Sequence, residues 1–516
     1  MNEKKKFRIN HVVFWPPFIV LVGAVVLSLI NNKVFTQAVN AAYDWIAEWF
    51  DWAYLLVAFV CVVVLLFALC SPWRNIRFGG KDAKPKFSVW QWFSMSLCSS
   101  IGIGIVFWGI AEPIQLLAAP AEGIEPFSSE AVMFSMSNTY LHWTLTIYAI
   151  YIIAAIPIGL AVYNYKQNMT IGSGLYFLVG EKRSTGTLSK WVDALCVFAL
   201  AGGIATSMGQ GILQITAGFG YVSPIEPSTF VWLMVAVGIV VAFTLSSATG
   251  LNKGMNWLSS QNVKMYFIVM LFILIVGPTT YILKMGVQGT GEYLQNFIHL
   301  HSYLGVDRPE EDWAKWWTVF YWAVWFSYTP VAGIFLTRIS YGRTIKQFLL
   351  VNMIAPAVFG ILWFTIFGGT AIEMQLSGAS DIATALETKG LESAVFEFFQ
   401  SLPLGTILIV FFLIIIIISF VTTADSMTSS IAILTTSGFT AEDSEPPLYQ
   451  KVMWGVIMGA LAWVMICLAG VDGTKMLATL ATFPILFIVV MFIFSGIKGM
   501  NRILEEEKKG KLEEGK

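Results

Sequence analysis

Charge is scarce in this chain: Asp, Glu, Lys and Arg make up 12% of 516 residues, and the formal net charge is -1. A balance so near neutral gives no electrostatic footprint for nucleic acid, which is not expected as a partner. There are only four histidines and five cysteines. None falls in a zinc-type spacing, and no phosphate-binding glycine-lysine loop occurs, so neither metal nor nucleotide chemistry is indicated and no resident cofactor is expected. The cysteines, Cys61, Cys70, Cys98, Cys196 and Cys467, stand singly inside apolar runs. They read as small buried hydrophobes rather than disulfide partners. No nucleophile-base pair marks an enzyme.

What is abundant is apolar. With 57% hydrophobic residues, the chain cannot bury its apolar surface in a water-soluble fold and must use lipid as a solvent. The expected class is an all-α integral membrane protein with the lipid bilayer as its main partner. Apolar runs of about 20 residues, the length of a spanning helix, begin near Phe14, Ala53, Val89, Met133, Val192, Phe230, Met265, Trp316, Phe348, Leu404, Val452 and Met476. These are twelve transmembrane helices, an even number that puts both termini on one side. With the termini in the cytoplasm, all but six of the 31 Lys and Arg residues lie inside; Lys33, Lys284, Arg308, Lys315, Lys389 and Lys475 are the exceptions. That asymmetry fixes the expected orientation in the inner (plasma) membrane of a prokaryote. Phe14 to Ile30 reads as a retained first helix rather than a signal peptide, since no convincing small-residue cleavage site follows it. Gly291 to Leu304 reads as an interfacial helix between spans, and Glu387 to Gln400 as a surface helix.

Two spans carry features that are costly in hydrocarbon. The third runs through Ser99-Ser100-Ile101-Gly102-Ile103-Gly104, and the tenth through Thr422-Thr423-Ala424-Asp425-Ser426. Hydroxyls, close glycines and a carboxylate at membrane depth belong against protein or a water-lined cavity. Together they predict unwound helices around a central binding site, of the inverted-repeat transporter kind. A third feature is the stretch Trp317 to Arg343, with seven aromatics in its first twelve residues and no carboxylate among them. Ring faces suit a methylated cation, which has no N–H to donate, at about 0.5 to 2 kcal/mol each.

At these residues the chain resembles the betaine/choline/carnitine transporter family. The family pattern W-T-x-F-Y-W-A-W-W reads here Trp317 to Trp325 with Val324 in place of one tryptophan, followed by Thr329-Pro330 and by Arg338-Ile339-Ser340-Tyr341-Gly342-Arg343-Thr344. The third-span pattern G-M-G-I-G, then F-W-G-x-A-E-P, is matched by Ser100 to Gly104 and Phe107 to Pro113. His142-Trp143, the G-L-x-K-G at Gly250 to Gly254, and Val421 to Ser426 follow in family order. The resemblance implies a five-plus-five inverted repeat, leucine-transporter-like, and usually a homotrimer. The chain then divides into a cytoplasmic N-terminus (1–13), two peripheral helices and a loop (14–88), a first five-helix repeat (89–288), the interfacial helix (289–315), a second repeat (316–498) and a cytoplasmic tail (499–516).

Carried over by resemblance, the family's aromatic box becomes Trp143, Tyr148, Tyr151, Trp325 and Tyr328, with tyrosine at positions 148 and 328 where tryptophan is usual. The 143, 148, 151 spacing keeps Trp143 and Tyr151 near one helical face, with Tyr148 close by. For an anionic end, the backbone N–H groups around Ser100, Gly102 and Gly104 are the expected receivers. Choline-type members often carry an acidic residue at the position of Gly104, so a zwitterion such as glycine betaine or carnitine is expected over choline.

For a coupling ion, the resemblance places one sodium between the third and tenth spans, held by Thr422 and Thr423 with carbonyls of Cys98 and Ile101. Oxygen ligands at a helix break suit such a cation. A second site in some members uses threonines that align with Leu200 and Ile204, so one sodium is expected. Sodium-independent exchangers carry an arginine and a methionine at positions aligned with Asn262 and Gly333. The expected function is therefore sodium-coupled secondary transport of a small zwitterionic quaternary ammonium compound, with substrate/product exchange of the carnitine/butyrobetaine type, or betaine sensing, as alternatives. Arg338 and Arg343 either pair with Asp425 or Glu442-Asp443 in a gate or anchor the end of a span. Lys264 either reaches the sodium site or snorkels at a span end, and the mixed-charge tail from Asn501 reads as a solvated helix.

Overall fold

A computed structural model describes residues 8–248, 254–306, 313–437 and 446–514. Within helices, side chains at 101–103, 247–248 and 468–479, among others, lie outside the description. The described chain is helical apart from loops and one short strand pair, in which Arg8 lies opposite Ser437. Among the described residues ten helices are long and apolar enough to cross a membrane. An eleventh span arises if the bent pair Val89–Ser100 and Gly104–Ala118 is one crossing, and His11–Ala24 is a shorter apolar helix.

The elements that position the central site are α1 (His11–Ile30), α2 (Asn32–Cys70), α3 (Val89–Ala118), α4 (Ser129–Trp143), α5 (Leu145–Ile152), α6 (Ala155–Gly159) and α7 (Thr187–Val222). They are followed by α8 (Thr229–Ala248), α9 (Asn256–Val276), α10 (Thr279–Gln295), α11 (Phe297–Ser302), α12 (Phe320–Ile339) and α13 (Ile345–Leu349). Last come α14 (Ala355–Ser377), α15 (Ile382–Lys389), α16 (Ala394–Gln400), α17 (Gly405–Leu434) and α18 (Leu448–Glu514). Capping boxes start α3, where Ser88 and Gln91 bond reciprocally, and α13, where Thr344 and Gln347 do so. Each satisfies amide donors that the first turn leaves free.

The third and tenth spans differ from expectation in opposite degrees. α3 bends by 57° between Ser100 and Gly104 yet stays helical. α17 is one unbroken helix through Thr422 and Asp425. Its hydroxyls bond carbonyls one turn back, Ser419 to Ile415 at 2.7 Å and Thr422 to Ile418 at 3.0 Å, so they are satisfied without unwinding. The break falls instead in the fourth span: Thr144, with φ -121° and ψ -120°, separates α4 from α5.

The connectors also differ. The helix expected from Gly291 begins at Thr279 and divides at Asn296. The segment from Glu387 to Gln400 divides at Gly390, with φ +94°, and buries Phe396, Phe398 and Phe399 rather than lying on the surface. Helical backbone continues through the tail to Glu514.

At the far end of α12, Arg343 joins a loop clasp. The Phe78 N–H donates to the Arg343 carbonyl at 3.0 Å and the Gly342 N–H to the Phe78 carbonyl at 3.0 Å. The Arg343 guanidinium donates to the Phe87 carbonyl at 2.5 Å and lies 4.6 Å from the Trp92 ring centroid. Arg343 therefore anchors the loop before α3. Asp425 accepts from Ser246 at 2.9 Å and from Ser429 at 3.3 Å, while Glu442, Asp443 and the motif residues Gly250 to Lys253 lie outside the described residues. Lys264 is exposed.

Candidate substrate cavity

The chain leaves helical geometry immediately after Trp143, which turns the Trp143 carbonyl toward α14. A Cβ on Gly360 would stand 2.7 Å from it, so glycine is what lets the two helices approach there. The Trp143 indole rests on α3: a Cβ on Gly104 would lie 2.8 Å from its Cη2 and Cζ3. Against this ring α12 presents Phe320, Tyr321, Val324, Trp325 and Tyr328, whose three- and four-residue spacings share one helix face. These side chains line a small internal cavity of about 40 Å³, together with Trp108 and Gly104.

Trp143 meets Trp325 and Tyr321 edge to face, and the Trp325 and Tyr328 rings are tilted. Trp143 and Trp325 stand at 5.8 Å and 88°, Trp143 and Tyr321 at 5.4 Å and 74°, and Trp325 and Tyr328 at 6.3 Å and 48°. Edge-to-face packing leaves π faces available to a cation. The remaining wall is polar but uncharged: Thr206, Ser207 and Gln210 from α7, Ser100 from α3 and Thr423 from α17. Tyr328 bridges the two walls, its hydroxyl donating to the Gly203 carbonyl at 2.7 Å and lying 2.7 Å from Ser207 Oγ. None of the lining residues carries a formal charge. A carboxylate entering this cavity would find neutral donors such as the Gln210 amide.

The site residues expected from sequence separate into two groups. Trp143, Trp325, Tyr328, Ser100 and Gly104 come together at the cavity. Tyr148 and Tyr151 do not line it. Tyr151 packs behind Trp325, its ring 6.3 Å away and its hydroxyl donating to the Ser99 carbonyl at 2.9 Å. Tyr148 is fully buried on α5, its hydroxyl without a hydrogen-bond partner among the described residues. Ser100 uses its hydroxyl on its own helix, donating to the Ser96 carbonyl at 2.9 Å. Gly102 and Ile101 are described as helical backbone alone.

The residues expected to hold sodium divide likewise. Thr423 Oγ1 donates to the Cys98 carbonyl at 3.1 Å, joining α17 to α3 beside the bend. The Thr422 hydroxyl is taken by the Ile418 and Ser419 carbonyls, both at 3.0 Å. Asn262 lies at the same junction, with its Nδ2 donating to Ser419 Oγ at 2.9 Å and standing 3.8 Å from Cys98 Sγ. Gly333 is elsewhere, packed on Ala154 and Ile158 of the α5–α6 region. Leu200 and Ile204 are buried aliphatic residues of α7.

One component escaped the sequence reading. Glu112, fully buried on α3, lies 2.7 Å from His142 Nδ1 and accepts from the Tyr321 hydroxyl at 2.5 Å and from the Trp143 indole N–H. The aromatic stretch thus has a carboxylate after all, supplied from another span. A glutamate inside an apolar run is the signal that points to it.

Comparison with known proteins gives the family. The family model for the betaine/carnitine/choline family of transporters matches residues 12–505. A glycine betaine transporter, OpuD, of Bacillus subtilis (strain 168) is 34% identical over 498 residues, 96% of each chain. An ectoine/hydroxyectoine transporter of Virgibacillus pantothenticus is 31% identical over 497 residues, 95% of this chain and 96% of its own. Among solved structures, a Na+-coupled sialic acid symporter in a substrate-bound outward-open state covers 86% of this chain and 87% of its own, at 13% identity and a TM-score of 0.47. With the family model spanning nearly the whole chain and such relatives matching end to end, this protein belongs to the betaine/carnitine/choline family of transporters.

Proposed function

We propose that the protein is a secondary active transporter of a zwitterionic quaternary ammonium compound of the glycine betaine or carnitine type, driven by one sodium ion per cycle. The observation that carries this reading is the convergence of the Trp143, Tyr321, Trp325 and Tyr328 rings on one uncharged cavity that also holds Gln210 and Ser207. Rings take the methylated cation; neutral donors take the carboxylate without leaving a net charge buried in the membrane. The relative named for glycine betaine supports the quaternary ammonium class, and the one named for ectoine, a zwitterion without a quaternary nitrogen, supports only the zwitterionic character.

Sodium binds at the α3–α17 junction, where the Thr423 hydroxyl and the Cys98 carbonyl are already adjacent. Its positive charge at the bend of α3 favours the conformation in which the substrate's carboxylate is also bound, which is how the two would be coupled. Twelve spans, a five-plus-five repeat from α3 onward, rocking of one bundle on another, a homotrimer, and a bacterial plasma membrane with both termini cytoplasmic complete the proposal.

The test is uptake of labelled glycine betaine, carnitine and choline into proteoliposomes, with and without an inward sodium gradient. Saturable, sodium-dependent uptake of glycine betaine or carnitine is expected. Preference for choline would overturn the zwitterion assignment. Uptake that ignores sodium but needs substrate loaded inside would replace symport by exchange.

A further inference from the structure

The Glu112 carboxylate divides its work between its two oxygens. Oε1 faces His142 Nδ1 at 2.7 Å; Oε2 receives the Trp143 indole N–H and the Tyr321 hydroxyl, the latter at 2.5 Å. His142 is held in turn, with Nε2 3.1 Å from Thr318 Oγ1 and its ring stacked on Tyr321 at 4.6 Å and 27°. Glu112, His142, Trp143 and Tyr321 are all at most 2% exposed. An indole N–H only donates, so Oε2 accepts from Trp143. The oxygen turned toward the cavity rings always offers lone pairs to them.

Two consequences follow for the rings. Their polar edges are tied to one point on α3, which fixes which way their faces turn although they stand on α4 and α12. Hydrogen bonds to a carboxylate are also stronger than neutral ones, and drawing on the N–H and O–H dipoles enriches the ring faces that would meet a cation. We infer that Glu112 is a positioning residue of the substrate cavity, acting through Trp143 and Tyr321 to orient and electronically enrich the rings that hold the methylated cation. The inference rests on the proposed ring-lined substrate site.

The experiment is a double-variant cycle on the full chain, read as the dissociation constant for glycine betaine from tryptophan fluorescence and as the KM and maximal rate of uptake. Glu112→Gln is isosteric: its oxygen can accept from Trp143 and Tyr321 while its amide donates to neutral His142, so shape is kept and the charge removed. It is expected to weaken binding about three- to tenfold, raising KM with the maximal rate changed less than about twofold. Trp143→Phe keeps a ring but removes the N–H. If Glu112 acts through that bond, adding Glu112→Gln to Trp143→Phe costs clearly less than it does alone. Wild-type binding by Glu112→Gln, or penalties that simply multiply in the double variant, overturns the inference.

Should Glu112→Gln not reach the membrane, Tyr321→Phe takes its place in the cycle with the same expectation and the same overturning result. Failure of the underlying site looks different: Trp143→Phe and Trp325→Leu would then both bind glycine betaine like the unmodified protein, whatever position 112 does.

Discussion

Gly104 and Trp143 are in contact that leaves no room for a side chain: a Cβ at position 104 would stand 2.8 Å from Cη2 and Cζ3 of the indole. The ring cannot simply swing away, because its N–H is bonded to Glu112 and it packs edge to face with Trp325, ring centroids 5.8 Å apart. Gly104→Ala is therefore expected to push Trp143 off its seat at an overpacking cost of about 1 to 3 kcal/mol. The KM for glycine betaine should rise by roughly tenfold or more, with protein levels little changed. A KM equal to that of the unmodified protein would show that the ring position does not matter to the substrate.

Trp325 stands at the centre of the ring cluster, in edge contact with both Trp143 and Tyr151 and 6.3 Å from Tyr328. Leucine keeps an apolar side chain there but removes a π face worth about 0.5 to 2 kcal/mol toward a cation, along with the packing that orients its neighbours. Trp325→Leu should lose nearly all glycine betaine uptake while retaining a folded, membrane-inserted chain by gel filtration. Full uptake in that variant would remove the substrate site from this cavity.

The ten long apolar helices among the described residues were legible because each is a long apolar run, and the aromatics of α12 were legible because their spacing puts them on one helix face. Tyr148 and Tyr151 illustrate the limit. Their expected alignment with Trp143 assumed one continuous helix, but Thr144 breaks it and resets the phase between Trp143 and the rings of α5. Neither glycine nor proline marks that break, which lies where Gly360 of α14 leaves room for the Trp143 carbonyl. The opposite error occurred at Thr422, where a hydroxyl-rich run suggested unwinding although each hydroxyl can bond its own helix. Glu112 was visible as a charge in an apolar run, yet its partners at 142, 143 and 321 are brought together only by the fold.

The two threonines beside that limit make a paired prediction. Thr423 reaches across to the Cys98 carbonyl at 3.1 Å, whereas Thr422 bonds only within α17. If sodium enters at the α3–α17 junction, losing the Thr423 hydroxyl removes a ligand to a charged species, about 1.5 kcal/mol. The sodium concentration for half-maximal uptake should then rise roughly tenfold in Thr423→Ala and much less in Thr422→Ala. Equal effects, or a larger one at Thr422, would move the ion away from the Cys98 carbonyl.

A pH dependence of stability follows from His301 on the connecting helix α11. Its Nδ1–H donates to the Phe297 carbonyl at 2.6 Å, which leaves Nε2 to accept from the Thr146 hydroxyl at 2.7 Å and fixes the neutral tautomer. Burial, opposed by the Phe297 bond and reinforced by nearby His142, lowers its pKa from 6.5 to about 4. The unfolded chain therefore binds a proton at this residue between about pH 6.5 and 4 while the folded chain does not, so stability falls as pH drops through that window. Above pH 6.5 both states are neutral and the contribution is constant. Thermal unfolding in detergent followed at pH 7.5, 6 and 5 should show a falling midpoint, and His301→Gln, which has nothing to titrate there, should show a smaller decline. An identical decline in the variant would assign the pH sensitivity to other groups and leave the His301–Thr146 contact without a titrating role.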